Sequence, residues 1–424
     1  MRVDVPAEIW ERLRTRLAAY RGEMVDFQRR LTAVRALGPE NGGEGEWERS
    51  RFLLRELQAF GLDDVTAYDA PDDRVPAGRR PNLVVRVRGA SVRPAVWVLA
   101  HMDTVPPGDE SLWDSDPFVA VVDGGRIVGR GVEDNQQGLT AALFALRALV
   151  AEGVTPPTDV ALILVADEET GNAYGIEHVL AVAPGLIDRG DLVVVPDAGS
   201  PDGAAIEVAE KSTLWCRFTV HGRQVHASIP DAGVNAHRAA AHLVVRLDQR
   251  LPARFGETDP VFDVPRSTFE PTRREANVPN VNTIPGEDRF FFDCRVLPRY
   301  DLGEVKRLIG EVTASVETDF GVQVDVSYPT ELAAAPPTSV NAPVVEALGR
   351  ALRVVRGLEP RTVGIGGGTV AAVFRRRGIP AVAWATLEET AHSPNEYCLI
   401  DNLVADALVL ARLFVGGRTP GVPE

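Results

Sequence analysis

The residues with chemical potential in this chain are carboxylates and imidazoles, and they recur in one kind of place. Leu99-Ala100-His101-Met102-Asp103 ends an apolar run on a histidine, with an aspartate two residues further on. Asp103 can accept the second ring N–H of His101, fixing its tautomer and raising its basicity as a ligand. Alone, such a histidine is more often structural. Gly129-Arg130-Gly131-Val132-Glu133-Asp134 precedes a long apolar-periodic stretch. Asp134 suits a helix N-cap there, and it equally suits a carboxylate bridging two metals. Val165-Ala166-Asp167-Glu168-Glu169 sets three acids after an apolar run. Clustered like charges repel, and a nearby cation removes that difficulty. Two adjacent glutamates can then divide metal binding from proton transfer, although a solvated turn also accounts for this segment read alone. Val195-Pro196-Asp197 and Thr390-Ala391-His392 complete the series. Five successive strand ends delivering His, Asp, Glu-Glu, Asp and His are hard to ascribe to chance, and all are ligand types that zinc accepts.

Elements must carry these residues to one place. Residues 82–87, 95–100, 160–165 and 192–195 read as short apolar strands, several of them apolar throughout, as strands covered on both faces are. Helical periodicity fills residues 7–37, 46–60 (stopped by Gly61) and 139–152. Alternating strands and helices predict an α/β domain with a mostly parallel central sheet and flanking helices. Sites in such sheets lie at the carboxyl ends of the strands. The pattern changes near Lys211. Alternating strands at 214–220, 282–295 and 322–328, with helices at 236–249 and 302–320, predict a smaller inserted α+β unit. The expected division is 1–208 and 327–424 for the first domain and 209–326 for the insertion.

Composition narrows the function class. The chain has 424 residues, enough for two domains, and 45% of them are hydrophobic. A net charge of −15 argues against nucleic acid as a partner and against an anionic membrane surface. The three cysteines, Cys216, Cys294 and Cys398, are odd in number and widely spaced, so neither a disulfide framework nor a thiolate zinc site is expected. Met1-Arg2-Val3-Asp4 leads into a charged helix rather than a signal core. A reduced, cytoplasmic protein fits these features.

With the five motifs in order along nearly the whole chain, the sequence resembles the co-catalytic zinc hydrolases. That family includes acetylornithine deacetylase, succinyl-diaminopimelate desuccinylase, aminoacylase, glutamate carboxypeptidase and the carnosine-type dipeptidases. The resemblance implies that His101, Asp134 and Asp197 hold one Zn(2+), and that Asp134, Glu169 and His392 hold a second, with Co(2+) or Mn(2+) as substitutes. It implies Glu168 as general base and then acid toward a shared water and the leaving amine, and Asp103 as the residue orienting His101. The inserted domain would be a ferredoxin-like lid and dimerisation domain. Its Val220-His221-Gly222-Arg223-Gln224-Val225-His226 segment would send His226 to the partner subunit's site, where it would help stabilise the oxyanion. Asn282 and Arg295 would help hold the substrate, Arg295 by pairing bidentately with a carboxylate. Gly364-Ile365-Gly366-Gly367-Gly368-Thr369 resembles the family's substrate loop, with Gly367, Gly368 and Thr369 near the ligand, and does not fit a nucleotide fingerprint.

Two departures from the family pattern stand out. Asn135-Gln136-Gln137-Gly138 lacks the usual basic residue and is one residue longer. Position 197 is Asp, usual in aminopeptidases and dipeptidases, where deacylases and carboxypeptidases carry Glu. The expected activity is amide hydrolysis of a small N-acyl amino acid or short peptide by a homodimer. The alternatives are an N-succinyl or N-acetyl amino-acid deacylase, or a catalytically silent homologue that binds a small molecule.

Overall fold

A computed structural model describes residues 5–416 of the chain. The reading of Met1–Asp4 as the lead into a charged helix lies outside the described residues. The chain divides into two compact units.

The first unit holds residues up to Val208, Thr338–Thr362 and those from Thr369 onward. Its eight-stranded sheet runs, in spatial order, Val65–Ala67, Leu83–Val87, Thr158–Val165, Ser91–His101, Leu192–Gly199, Ala381–Ala385, Ala205–Glu210 and Arg361–Ile365. The four strands from Thr158–Val165 to Ala381–Ala385 are parallel, and antiparallel strands flank them. Every residue of Thr158–Val165 is buried, which is why this strand reads as a continuous apolar run rather than an alternation. The helix Gln136–Ala151 is buried on nearly all sides, as its apolar composition requires. Its Phe144 packs edge-on against Tyr20, Phe27 and Phe60 of the N-terminal helical layer. The long N-terminal helix breaks at Tyr20 into Ala7–Ala19 and Arg21–Thr32. A small sheet of Val121–Asp123, Arg126–Val128 and Tyr397–Leu399 stands apart from the large one.

The second unit, Ala209–Pro337 with Val363–Gly368, is α+β. Its antiparallel sheet runs Thr268–Arg274, Glu287–Val296, Ser212–His221, Gln323–Leu332. The helices Ala236–Arg254 and Leu302–Phe320 pack on each other and on the sheet. Three expectations change here. The strand read over 282–295 is broken at Pro285-Gly286, and its first part, Thr283–Ile284, pairs instead with Val225–His226. The strand Thr268–Arg274 carries no alternating pattern to betray it. It lies at the sheet edge, where Pro271 and two arginines are tolerated. The boundary expected at 326 falls inside the strand Gln323–Leu332, so the unit runs on to Pro337.

All three cysteines are buried and free. Among the described residues no helix is long and apolar enough to cross a membrane.

Candidate metal centre

Three central strands each bring acid or imidazole to the same end of the sheet. His101 is the last residue of Ser91–His101, Glu168 and Glu169 follow Thr158–Val165 within four residues, and Asp197 lies near the end of Leu192–Gly199. Asp134 and His392 arrive differently. Asp134 lies in the turn between Arg126–Val128 of the small sheet and the helix Gln136–Ala151, and His392 sits in a loop seven residues beyond Ala381–Ala385. The helix cap is Asn135 rather than Asp134, and its side chain makes no capping bond. The N-cap reading of Asp134 is therefore set aside, which leaves both of its carboxylate oxygens for other partners.

The geometry converges on Asp134. His101 Nε2 lies 2.9 Å from Asp134 Oδ1 and 3.6 Å from Asp197 Oδ1. His392 Nε2 lies 3.1 Å from Asp134 Oδ2 and 3.2 Å from Glu169 Oε2. Two groups result, His101–Asp134–Asp197 and Asp134–Glu169–His392, with the potential ligand atoms of each within 4.8 Å of one another. His101 is 2% exposed, whereas the His392 side chain is 55% exposed, so the second group is the one open to solvent.

Close approach of the helix Gln136–Ala151 to Leu192–Gly199 makes this possible. A Cβ on Gly138 would stand 2.6 Å from Pro196 Cγ and from the Pro196 carbonyl oxygen, so only glycine fits. Asn135 completes the junction. Its Nδ2 donates to the Pro196 carbonyl at 2.6 Å and to Asp197 Oδ1 at 2.9 Å. Gln136 accepts from Thr32 Oγ1, and Gln137 donates to the Thr386 carbonyl and to Asp406. The segment that departs from the family pattern thus consists of residues tying the helix start to its surroundings.

Asp103 does more than orient His101. The nearer acceptor for His101 Nδ1 is the Asp103 carbonyl at 3.0 Å, with the carboxylate at 3.5 Å. The two carboxylate oxygens of Asp103 accept the backbone N–H groups of Glu168, at 3.1 Å, and Glu169, at 3.0 Å. One residue thereby sets both the imidazole and the acidic turn. A buried ion network that sequence patterns did not reveal supports the same turn. Arg80 pairs with Glu46 and lies 3.7 Å from Asp167, whose backbone is left-handed at φ 62°. Asp167 in turn accepts the Tyr174 N–H at 2.9 Å. The sequence signal was only the first acid of the triplet, Asp167 itself.

The electrostatics suit a cation. Burial lifts the Glu168 carboxyl, and the Asp197 carboxylate adds to this, leaving it well above the usual range. Burial also raises Asp197 and Glu169. Burial opposes ionisation of Asp134, but its bonds to His101 and His392 outweigh this and hold it well below the usual range. Asp134, then Glu169, push His392 up to about 10. Burial works against a charged His101, yet its carboxylate partners raise it well above the usual imidazole value. Protons are thus drawn to the imidazole nitrogens by a surplus of carboxylate oxygen. Glu169 Oε1 is buried without a hydrogen-bond partner. An acceptor surplus of this kind, with one oxygen unsatisfied, fits a divalent cation.

The remaining expected residues belong to the second unit, except Thr369, which begins the last stretch of the first. His226 is exposed. Its Nδ1 lies 2.7 Å from Ser228 Oγ, and Asn282 Nδ2 approaches its Nε2 at 3.5 Å. Arg295 is already engaged. Its Nε and Nη2 pair with both oxygens of Asp293, and Nη1 donates to Thr213 Oγ1 and to the Gly366 carbonyl. Gly364 is required by packing, because a Cβ there would meet the Phe262 ring at 2.6 Å. Gly366, Gly367 and Gly368 are exposed with open space around them.

Comparison with known proteins places this architecture. Residues 97–415 match the pattern of peptidase family M20/M25/M40. An uncharacterized metallohydrolase of Methanococcus maripaludis is 35% identical over 406 residues, spanning 91% of this chain and 97% of its own. A succinyl-diaminopimelate desuccinylase of Alkalilimnicola ehrlichii is 28% identical over 398 residues, spanning 93% of this chain and 98% of its own. Human carnosine dipeptidase 1 shares the fold, with a TM-score of 0.73 at 18% identity over 97% of this chain and 99% of its own. The family pattern covers most of the chain, including every one of the five clustered residues, and the chain belongs to peptidase family M20/M25/M40 as a metal-dependent hydrolase.

Proposed function

We propose that the protein is a two-zinc amidase that cleaves a small N-acyl amino acid or a short peptide. The observation that carries this reading is the pair of three-residue groups sharing Asp134. His101, Asp134 and Asp197 would hold one zinc, and Asp134, Glu169 and His392 the other. Three protein ligands per ion leave a position for water and substrate, the mark of a catalytic rather than a structural zinc site. Cobalt or manganese would serve as substitutes.

Zinc, when bound, supplies Lewis acidity toward the amide carbonyl and the attacking water. Glu168 takes a proton from that water as its oxygen bonds to the carbonyl carbon. The same carboxyl then gives the proton to the amide nitrogen as the C–N bond breaks, leaving a carboxylate and an amine. A buried carboxyl with a raised pKa is suited to both halves of this transfer. Asp103 holds the backbone of Glu168 and Glu169 and so keeps base and ligand in register.

The second unit would serve as lid and dimerisation domain, with His226, beside Asn282, stabilising the oxyanion in a homodimer. The exposed Gly367 and Gly368, with Thr369, would hold the substrate carboxylate through backbone N–H groups. Arg295 would act there by fixing the Gly366 carbonyl rather than as a free clamp. Three buried, unpaired cysteines suit a cytoplasmic location.

Asp197 favours a peptidase, whereas similarity to a desuccinylase over nearly the whole chain favours N-succinyl amino acids. A panel of N-succinyl amino acids, N-acetyl amino acids and dipeptides, offered to zinc-loaded protein, decides between them. Turnover of dipeptides alone supports the peptidase, and turnover of blocked amines alone supports the deacylase. No turnover of any class, with both zinc ions bound, contradicts the proposal.

A further inference from the structure

Two buried glutamates beside the centre take no part in the mechanism above. Glu396 is 0% exposed and Glu133 is 2% exposed. Each spends its carboxylate on the other's loop. Glu396 Oε1 accepts the N–H groups of Glu133, at 2.9 Å, and Asp134, at 3.1 Å. Its Oε2 accepts the Gly131 N–H at 3.0 Å and Arg130 Nη1 at 2.7 Å. Glu133 returns the arrangement. Its Oε1 accepts the Glu388 N–H, and its Oε2 accepts the N–H and hydroxyl of Thr390. Glu133 is the residue before Asp134, and Glu396 is four residues after His392. The carboxylates therefore cross-tie the loop that carries Asp134 to the loop that carries His392. Pairing of Tyr397–Leu399 with Arg126–Val128 anchors both loops at their other ends.

The cost of this arrangement argues for a purpose. Burying a carboxylate is unfavourable unless its partners compensate, and neutral acceptors or water would satisfy the same backbone N–H groups. The 388–396 loop also needs restraint, because Glu389, His392 and Asn395 all have left-handed backbones, at φ 61°, 63° and 57°. A non-glycine residue is strained in that region. His101, by contrast, is paired with Val165 in the central sheet, and Asp197 lies within the strand Leu192–Gly199 and accepts from Asn135 Nδ2. Asp134 and His392 lie in no strand, and they meet in the more exposed of the two ligand groups.

We propose that Glu133 and Glu396 form a reciprocal clamp that sets the divalent-metal affinity of the Asp134–Glu169–His392 group, acting as positioning residues rather than ligands. This rests on the two-metal reading above. Residues supporting metal ligands from behind commonly contribute 10- to 100-fold in affinity.

The test is calorimetric titration of metal-free protein with Zn(2+), in competition with a chelator of known affinity, for wild type, Glu396→Gln, Thr390→Val and His392→Ala. The melting temperature of each metal-free protein is measured alongside. Wild type should show two binding events. Glu396→Gln should weaken one of them by about 10- to 100-fold and the other, which shares Asp134, by less. Thr390→Val, which removes one donor to Glu133 and the hydroxyl's contacts with the Tyr397 backbone while keeping the Thr390 N–H bond to Glu133, should weaken the same event less. In the His392→Ala background, Glu396→Gln should weaken the remaining event by less than it weakens the affected event with His392 present. Equal weakening of both events that tracks a fall in the metal-free melting temperature overturns the clamp, as does no weakening in either variant. Wild type binding a single zinc overturns the two-metal reading itself, an outcome distinct from two intact events in the clamp variants.

Discussion

Gly138→Ala adds one methyl group at the point where the helix start meets the strand bearing Asp197. The new Cβ would lie 2.6 Å from Pro196 Cγ and from the Pro196 carbonyl oxygen. Ordinary carbon contacts begin near 3.5 Å, so helix and strand must part by about 0.9 Å, and neither obstacle is a flexible side-chain end. Overpacking of this kind costs about 1–3 kcal/mol, while replacing glycine by alanine in a helix returns up to about 1 kcal/mol. The net loss of about 1 kcal/mol should lower the melting temperature by only about 2 °C in a chain this long. The site should suffer more. Asp134 is four residues before Gly138, Asp197 follows Pro196, and Asn135 binds both Pro196 and Asp197. Misplacement of reacting groups by about 1 Å can cost about 100-fold in rate. The expected result is a fall in kcat/KM of about 10- to 100-fold with a melting temperature close to wild type, read by steady-state kinetics and scanning calorimetry. A variant with kcat/KM within about twofold of wild type would refute the dependence of the site on this approach.

Other predictions follow from the same geometry. Glu168→Gln should lower kcat by about 10²- to 10⁴-fold while metal content, measured by elemental analysis, stays at the wild-type level; unchanged turnover would remove Glu168 from the mechanism. Chelation of the metal should abolish hydrolysis and lower the melting temperature, because ions bind the folded state and relieve the clustered carboxylates; melting unaltered by chelator would contradict this. Asp406 gives a pH prediction away from the ligands. Burial, against its bonds from Thr386, raises it from 3.8 to about 6. The folded state thus binds this proton more tightly than the unfolded chain. Its contribution is full below about pH 4 and is lost as pH rises through 6, a change of about 3 kcal/mol. Asp406→Asn should remove that decline, so the difference in unfolding free energy between the two proteins should change between pH 4 and pH 7. Parallel profiles would show that Asp406 does not titrate in this range.

The clustered residues were legible where a rigid element ends on them. His101, Glu168, Glu169 and Asp197 follow buried, apolar strands whose composition marks them, and the side chemistry follows directly. Asp134 and His392 were legible as chemistry but not as placement, since one leaves a separate small sheet and the other a strained loop. What holds these residues was mostly hidden. Glu133 and Glu396 meet across more than 250 positions in the chain, and nothing local distinguishes either from a surface glutamate. The Arg80–Glu46–Asp167 network is of the same kind. Gly138 looked like part of a loop irregularity until its distance to Pro196 supplied the reason. Arg295 read equally as a substrate clamp or a surface ion pair, and it pairs with Asp293 on the same face of the same strand. The edge strand Thr268–Arg274 was missed because an edge with proline and paired arginines suppresses the alternation that identifies strands.

Anomalous scattering from crystals of the zinc-loaded protein, recorded on both sides of the zinc edge, tests the central claim most directly. Two peaks are expected in each chain. One should be bounded by His101, Asp134 and Asp197, the other by Asp134, Glu169 and His392, with Asp134 touching both. A single peak, or peaks bound by residues other than these five, would contradict the two-metal centre.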